Sequence, residues 1–427
     1  MKKLVGVIMG WLMFFLLLDI APLQAREEVD GYFTVTGGVR NKDDRKKLEN
    51  VNVSVPGTNI GTVTNSDGIF SLKIKDAEIV RGLEVSHIGY LNTQISLKEN
   101  KDLSTLTVWM IPAPNLLNEI VILGNNPCGI VEEAIRKISV NYSPNENMLT
   151  TFYREGVQLK NKFQNLTEAV FKVYKSPLDE SGGVDQVKLL KMSRMDNRES
   201  TDSLIAKIRA GIQACLQLDI MKDLPDFLSV DAEDNPYTYT SGGITSIDDR
   251  CVNVVSFEQK QGVKEPLYCG ELYIDSENGA LLQARIEMQP RYIKKATRIF
   301  VVRQAPSVNL TAQKVVYTIS YKPWRGTYYI HHICGDLFFR MKKKRALFSN
   351  PTLHTWFEMV TCKVDRDNVA RFSRTERVPI HTVLADIDFK YDESFWEEFN
   401  TIPLEEELSK IIEKVTLKIE KTVHQEE

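Results

Sequence analysis

Thr64-Asn65-Ser66-Asp67-Gly68-Ile69-Phe70 decides how the N-terminal part of the chain folds. Asn, Asp and Gly tolerate the left-handed backbone of a tight hairpin, so residues 65–68 read as a turn. On both sides the apolar residues alternate with period two, the pattern of half-buried strands. Upstream, Phe33, Val35, Gly37 and Val39 share one face of a first strand. Val51, Val53 and Val55 share a face of the second, which stops at Pro56-Gly57, and a third lies near Ile60–Thr64. Downstream, Phe70, Leu72 and Ile74 mark the fourth strand, and Leu83, Val85 and His87 the fifth. Ile95 and Leu97 mark the sixth, and Leu106, Val108 and Met110 the seventh. Short strands separated by turn residues over 30–114 predict a seven-stranded, two-sheet sandwich.

Three motifs follow one another in order: Thr64–Phe70, Ser86-His87-Ile88-Gly89-Tyr90 and Leu117-Asn118-Glu119-Ile120-Val121-Ile122. Together they resemble the carboxypeptidase-regulatory-like domain of Bacteroidota envelope proteins. That resemblance implies a transthyretin-like sandwich and a binding or scaffolding module with no catalysis of its own. The same module often precedes the plug of TonB-dependent receptors.

The chain has 427 residues, with 54 Lys+Arg against 57 Asp+Glu and a net charge of −3. That balance excludes a strongly basic nucleic-acid binder. A hydrophobic content of 43% excludes a disordered chain. Six cysteines are too few for a disulfide-built scaffold. Residues 1–25 read as a signal peptide: Lys2 and Lys3, an apolar core from Leu4 to Leu18, then Pro22 and the small Ala25. No cysteine stands near that cleavage point, so no lipoprotein anchor is expected. The expected location is the periplasm or the periplasmic face of the outer membrane.

Residues 115–145 read as a linker with a helix. From Pro127 to Tyr142, Ile130, Val131, Ala134, Ile135 and Ile138 fall on one face, and Pro144 ends the run. With Phe152-Tyr153-Arg154-Glu155, this stretch resembles the junction of carboxypeptidase-regulatory-like proteins that lack a receptor plug. Too few residues follow for the repeated amphipathic strands of a receptor barrel, so a receptor is not expected. Residues 146–400 carry many strand-like runs, among them Thr151–Lys160, Leu166–Tyr174, Thr297–Val302, Lys314–Tyr321, Tyr328–Met341 and His354–Val364. Leu267–Met288 is a hairpin about Ser276-Glu277-Asn278-Gly279. Its Gly270–Asp275 strand is similar to those of Lol-type lipoprotein carriers. One helix is expected over Asp202–Asp219, with Leu204, Ile205, Ile208, Ile212, Cys215 and Leu216 on a face. Residues 401–427 read as an amphipathic helix, striped by Leu404, Leu408, Ile411, Ile412, Val415 and Ile419 and expected to dock on its own domain. The fold class is therefore mainly β: the sandwich, then a larger α+β domain with a curved antiparallel sheet and a C-terminal helix.

No catalytic, cofactor or metal residues emerge. None of the six histidines begins a His-Glu-x-x-His. His331 and His332 are neighbours on a strand, expected to face opposite sides. His332 and Cys334 share a face, which supplies two ligands and no site. There is no Gly-x-Ser-x-Gly, Cys-x-x-Cys or phosphate-cradling glycine loop. Asp248-Asp249 reads as a solvated turn, since adjacent carboxylates do not span a glycosidase cleft. Cys251 with Cys269, or Cys334 with Cys362, could pair across strands.

Two groups are binding candidates. Tyr153, Arg154 and Glu155 lie at the junction, where Arg154 is expected to pair with a carboxylate at a domain interface. Arg340, Lys342, Lys343 and Lys344 form the densest basic run, either solvated or in contact with anionic lipid. The sequence thus reads as a non-enzymatic exported binding or scaffolding protein. Alternatives are a carrier of an apolar ligand, an accessory to a TonB-dependent uptake system, and a hydrolase with an unrecognised site. Partners would be an outer-membrane protein, a lipid or a glycan, and no nucleic acid.

Overall fold

The computed structural model describes residues 32–75, 80–98, 103–113, 126–160, 162–178, 183–196, 206–208, 211–343, 350–379 and 399–410. The expected signal peptide, the third motif at 117–122, Lys344 and the part of the expected C-terminal helix beyond residue 410 lie outside the described residues.

The alternation around the opening turn produces two small sheets. Strands β1 (Tyr32–Asn41), β4 (Ile69–Lys75) and β7 (Leu106–Met110) form one, in the order β4-β1-β7. The other runs β3-β2-β5-β6, from β2 (Asn52–Ser54), β3 (Gly61–Val63), β5 (Gly82–Ser86) and β6 (Thr93–Ser96). Their inner residues, including Val35, Val39, Val53, Phe70, Leu72, Val85 and Val108, form one buried cluster. In the turn, Asn65 Oδ1 accepts from the backbone N–H of Asp67 at 3.0 Å and of Ile69 at 2.9 Å. Gly68 has φ +72°, and a Cβ there would lie 2.7 Å from the Val39 carbonyl oxygen. Gly68→Ala is expected to cost roughly 1–3 kcal/mol in denaturant unfolding of the sandwich. An unchanged midpoint would contradict the turn.

Ten strands form the larger sheet: β8 (Asn147–Leu159), β9 (Lys162–Lys175), β10 (Gln186–Asp196), β12 (Tyr237–Ile247), β13 (Arg250–Gln259), β14 (Tyr268–Asp275), β15 (Leu281–Met288), β17 (Val308–Trp324), β18 (Thr327–Lys343) and β19 (Thr352–Asp365). Their order is β10-β9-β8-β19-β18-β17-β15-β14-β13-β12, antiparallel throughout. Two short strands, β11 (Ala206–Ile208) and β16 (Val301–Gln304), pair separately.

The linker helix forms as α1 (Pro127–Arg136) and α2 (Ile138–Asn141). Pro127 opens α1, and Asn126 Oδ1 caps it by accepting from Gly129 N at 3.0 Å. The expected helix at 202–219 is corrected. Residues 206–208 are strand, because their backbone pairs with β16, and Gly211 at φ +95° separates them from α3 (Ile212–Gln217). Likewise, the strand expected at Thr297–Val302 begins as one helical turn, α4 (Thr297–Phe300), before β16.

The sheet has two differently used faces. Val131, Cys215, Phe227, Phe171, Leu272, Ile319 and Phe339 belong to one continuous core, which joins α1, α3 and a 3₁₀ turn to the first face. On the other face Phe152, Val170, Val360 and Cys362 meet Val63 of the sandwich and Ile402 of the C-terminal segment. Leu408 packs there on Phe163 and Leu166, so the described start of the C-terminal helix rests on the chain's own sheet. All six cysteines are free. The proposed pairings fail on register: Cys334 lies opposite Glu358, and Cys251 and Cys269 stand at opposite ends of the β13–β14 ladder.

Candidate functional site

The seam between sandwich and sheet is built from Arg154 outward. On β8, Leu149 and Tyr153 belong to the first-face core, while Phe152 and Arg154 face the sandwich side. Arg154 lies opposite Glu168 of β9 and Glu358 of β19 in the strand register. Its Nε donates to Glu168 Oε1 at 2.8 Å, and its Nη1 stands 3.5 Å from Glu358 and 3.9 Å from Glu405. The remaining guanidinium N–H groups donate to the carbonyls of Ile402 and Pro403. The residue is 0% exposed, so it clamps the C-terminal segment and leaves no surface for a ligand. On the other side of β8, Tyr153 OH donates to Glu155 Oε2 at 2.7 Å and accepts from Gly211 N at 2.7 Å. Burial pushes the Glu155 carboxyl above the usual carboxylate range.

The sandwich is pinned by further bonds. Asn65 Nδ2 donates to Pro403 O at 3.0 Å, and Asp67 Oδ2 accepts from Glu406 N at 2.8 Å. Lys73 N donates to Asn400 Oδ1 at 2.6 Å, and Gly89 N to Ser246 O at 3.0 Å. The residues of the opening turn therefore also hold the seam.

Between these pins lies a polar cleft. It consists of two adjoining spaces of about 280 and 200 Å³ that share Asn52, Asp248, Lys322 and His331 as lining. A β-bulge creates its histidine wall. Ser320 of β17 pairs with His332 and Tyr321 with Ile330, so His331 is the extra residue. A bulge re-aims side chains, and His331 and His332 consequently line the same space. That corrects the expectation that they face opposite sides. Asp248, read from sequence as part of a solvated turn, sits with Asp249 at positive φ in the β12–β13 turn. Asp248 lines the cleft, and Asp249 Oδ1 accepts from Asn92 N of the sandwich at 3.1 Å.

Five buried polar atoms of this lining have no hydrogen-bond partner in the chain: Asn52 Oδ1, Asp248 Oδ1, Tyr329 OH, His331 Nε2 and His332 Nε2. Buried polar atoms are normally satisfied, and each unsatisfied one costs about 1–3 kcal/mol. Concentrated in one cleft, they are groups arranged to meet a polar ligand or water. Burial holds the His331 imidazole well below its ordinary range, helped by the charges of Lys322 and His332. A lowered folded pKa means that stability is complete above about pH 6.5, the unfolded value, and falls as pH drops below it. His331→Gln is expected to lose less stability between pH 7 and pH 5 than the wild type, measured by thermal melts. Equal slopes would contradict a neutral, enclosed imidazole.

The basic run lies elsewhere. Arg340 and Lys342 are exposed near the end of β18, and Lys343 is half-buried. Cys334, in the same register row as Arg154, is six residues from Arg340, roughly 20 Å along the strand. The structure does not bring the two candidate groups together. Among the described residues, no three His, Cys, Asp or Glu side chains are grouped to hold a metal ion, and no helix is long and apolar enough to cross a membrane.

Residues 35–122 match the family model described as the CarboxypepD_reg-like domain, so the resemblance carried by the three ordered motifs holds for the sandwich. A curated relative is the TonB-dependent receptor P3 of Formosa agariphila, 29% identical over 113 residues. The match takes in 26% of this chain and 10% of the receptor, so the chain spans about a tenth of that relative's length. Among solved structures, similarity is found to a putative outer membrane lipoprotein-sorting protein domain from Vibrio parahaemolyticus. It is 11% identical with a TM-score of 0.25, covering 57% of this chain and 95% of that one. A DUF1329 family protein from Desulfovibrio piger is 10% identical with a TM-score of 0.25, covering 58% and 96%. A LolA superfamily protein from Nitrosomonas europaea is 11% identical with a TM-score of 0.20, covering 57% and 94%.

Proposed function

We propose that this chain is a non-enzymatic binding or scaffolding protein of the bacterial envelope, and that it binds at the polar cleft between its regulatory-like sandwich and the ten-stranded sheet. The observation that carries this reading is the gathering in one cleft of buried polar atoms from both units that make no hydrogen bond within the chain. The envelope setting is supported by the signal-peptide character of residues 1–25 and by the receptor relative. An apolar carrier ranks lower, because the first face of the sheet is occupied by a continuous core of the chain's own side chains. Work beside a TonB-dependent receptor is a second reading, favoured by the match between the N-terminal part and such a receptor.

Native mass spectrometry of protein purified gently from an envelope fraction tests the binding role. A co-purifying mass that Asn52→Leu removes, with the fold intact by circular dichroism, is the expected result. A mass retained by that variant would move binding away from the cleft.

A further inference from the structure

Resting on the reading that the seam cleft binds a ligand, we propose that its ligand is a carbohydrate, held as a hydroxyl-rich unit of a glycan chain. The unpartnered atoms set the chemistry. Asn52 Oδ1 and Asp248 Oδ1 accept, Tyr329 OH donates or accepts, and each histidine Nε2 does one or the other according to its tautomer. Two of these atoms can only accept and three can take either role, so a hydroxyl-rich ligand, whose groups both donate and accept, meets every one of them. An acyl chain would leave every one of these atoms without a partner.

Charge points the same way. Lys322 Nζ stands 3.6 Å from Asp248 and donates to Ser86 Oγ at 3.2 Å. Arg250 is held by Asp275 at 2.7 Å and by Tyr328 OH at 3.0 Å. Glu84 accepts from Asn92 Nδ2 at 2.9 Å. Each cation of the lining already faces a carboxylate, so an anion finds no uncompensated positive charge in the cleft. A neutral polar ligand meets no such conflict.

Trp324 and Tyr329 line the larger space, their ring centroids 6.4 Å apart and tilted by 59°. Tyr329 is packed in the core, and Trp324 carries the Arg325 guanidinium 4.4 Å from its ring centroid; an aromatic lining beside hydrogen-bonding groups suits a ring with apolar C–H faces and polar edges. The two adjoining spaces, about 280 and 200 Å³, are each smaller than a typical small-ligand site of about 300–1,000 Å³ and reach that range only together. The exposed Pro56, Gly57 and Thr58 are among the residues that line the larger space.

The test is isothermal titration of the purified chain with neutral oligosaccharides (maltohexaose, laminarihexaose, xylohexaose and mannohexaose), and separately with inorganic phosphate and oleate. At least one oligosaccharide is expected to bind. Trp324→Ala and Asn52→Leu should each weaken it roughly tenfold or more, while Trp324→Phe keeps most of the affinity. Melting curves confirm that each variant is folded. Should Asn52→Leu fail to fold, the Trp324→Ala and Trp324→Phe pair decides alone. No binding by any of the four sugars overturns the carbohydrate assignment, as does sugar binding that Trp324→Ala leaves unchanged. Oleate or phosphate binding that the same variants abolish also overturns it, while leaving the cleft as a binding site. Loss of the cleft reading itself would show instead as a co-purifying mass indifferent to Asn52→Leu.

Discussion

Arg154→Met is expected to lower the stability of the sheet-bearing part of the chain by about 3–5 kcal/mol, the scale of a buried ion pair broken from one side. The reason lies in what remains. Methionine fills much of the same volume, but Glu168, Glu358 and Glu405 lose the cation they share, and the carbonyls of Ile402 and Pro403 lose their donors. The arginine keeps its charge against the desolvation of full burial because these carboxylates outweigh it. Arg154→Lys should rescue only part of the loss, since an ammonium cannot reproduce the planar fork that reaches both strands and the C-terminal segment. Adding Glu168→Gln and Glu358→Gln to Arg154→Met should recover much of the stability. Denaturation of the wild type and these three variants checks this, and a triple variant no more stable than Arg154→Met would contradict a shared buried network.

Lys175→Met is expected to have a comparable effect, about 3 kcal/mol or more. Lys175 Nζ lies 2.5 Å from Asp185 and 2.8 Å from Asp219, while Lys222 pairs with the other oxygen of Asp185. Tyr321 OH donates to Asp219 at 2.9 Å. Two lysines thus balance two aspartates at low exposure, and removing one leaves a carboxylate uncompensated. Burial alone would raise the Asp185 carboxyl, but Lys175 and Lys222 together hold it below the usual range. A depressed carboxylate contributes stability above its unfolded pKa of about 3.9, which is lost as pH falls through the folded value. The penalty of Lys175→Met should therefore shrink as the pH is lowered below about 4. A penalty constant between pH 7 and pH 3 would mean that methionine disturbs packing rather than charge.

The parts of the fold that sequence reveals are those governed by local patterns. Period-two alternation gives the seven sandwich strands and most of the large sheet, and Asn278-Gly279 marks the β14–β15 hairpin with Gly279 at φ +70°. The 202–219 segment misleads because its helical spacing is good, whereas Gly211 and pairing to β16, far along the chain, decide its form. The role of Arg154 has a readable signal: a lone cation among Phe152, Tyr153 and other apolar strand residues must be paired if the strand is buried. Glu168, set between Thr167 and Ala169 on the neighbouring strand, carries the same signal. The cleft has none. It depends on a one-residue bulge at His331, on a turn at Asp248 and on the docking of two units, and none of these has a short-range pattern.

Hydrogen–deuterium exchange of the full chain, with and without polysaccharide released from an envelope fraction, tests the central claim that binding occurs at the seam cleft. Protection is expected in residues 50–59, 84–90, 246–250 and 318–332, the segments that wall the cleft. Protection confined to Arg340–Lys343, or to strands of the core-bearing face, would contradict it.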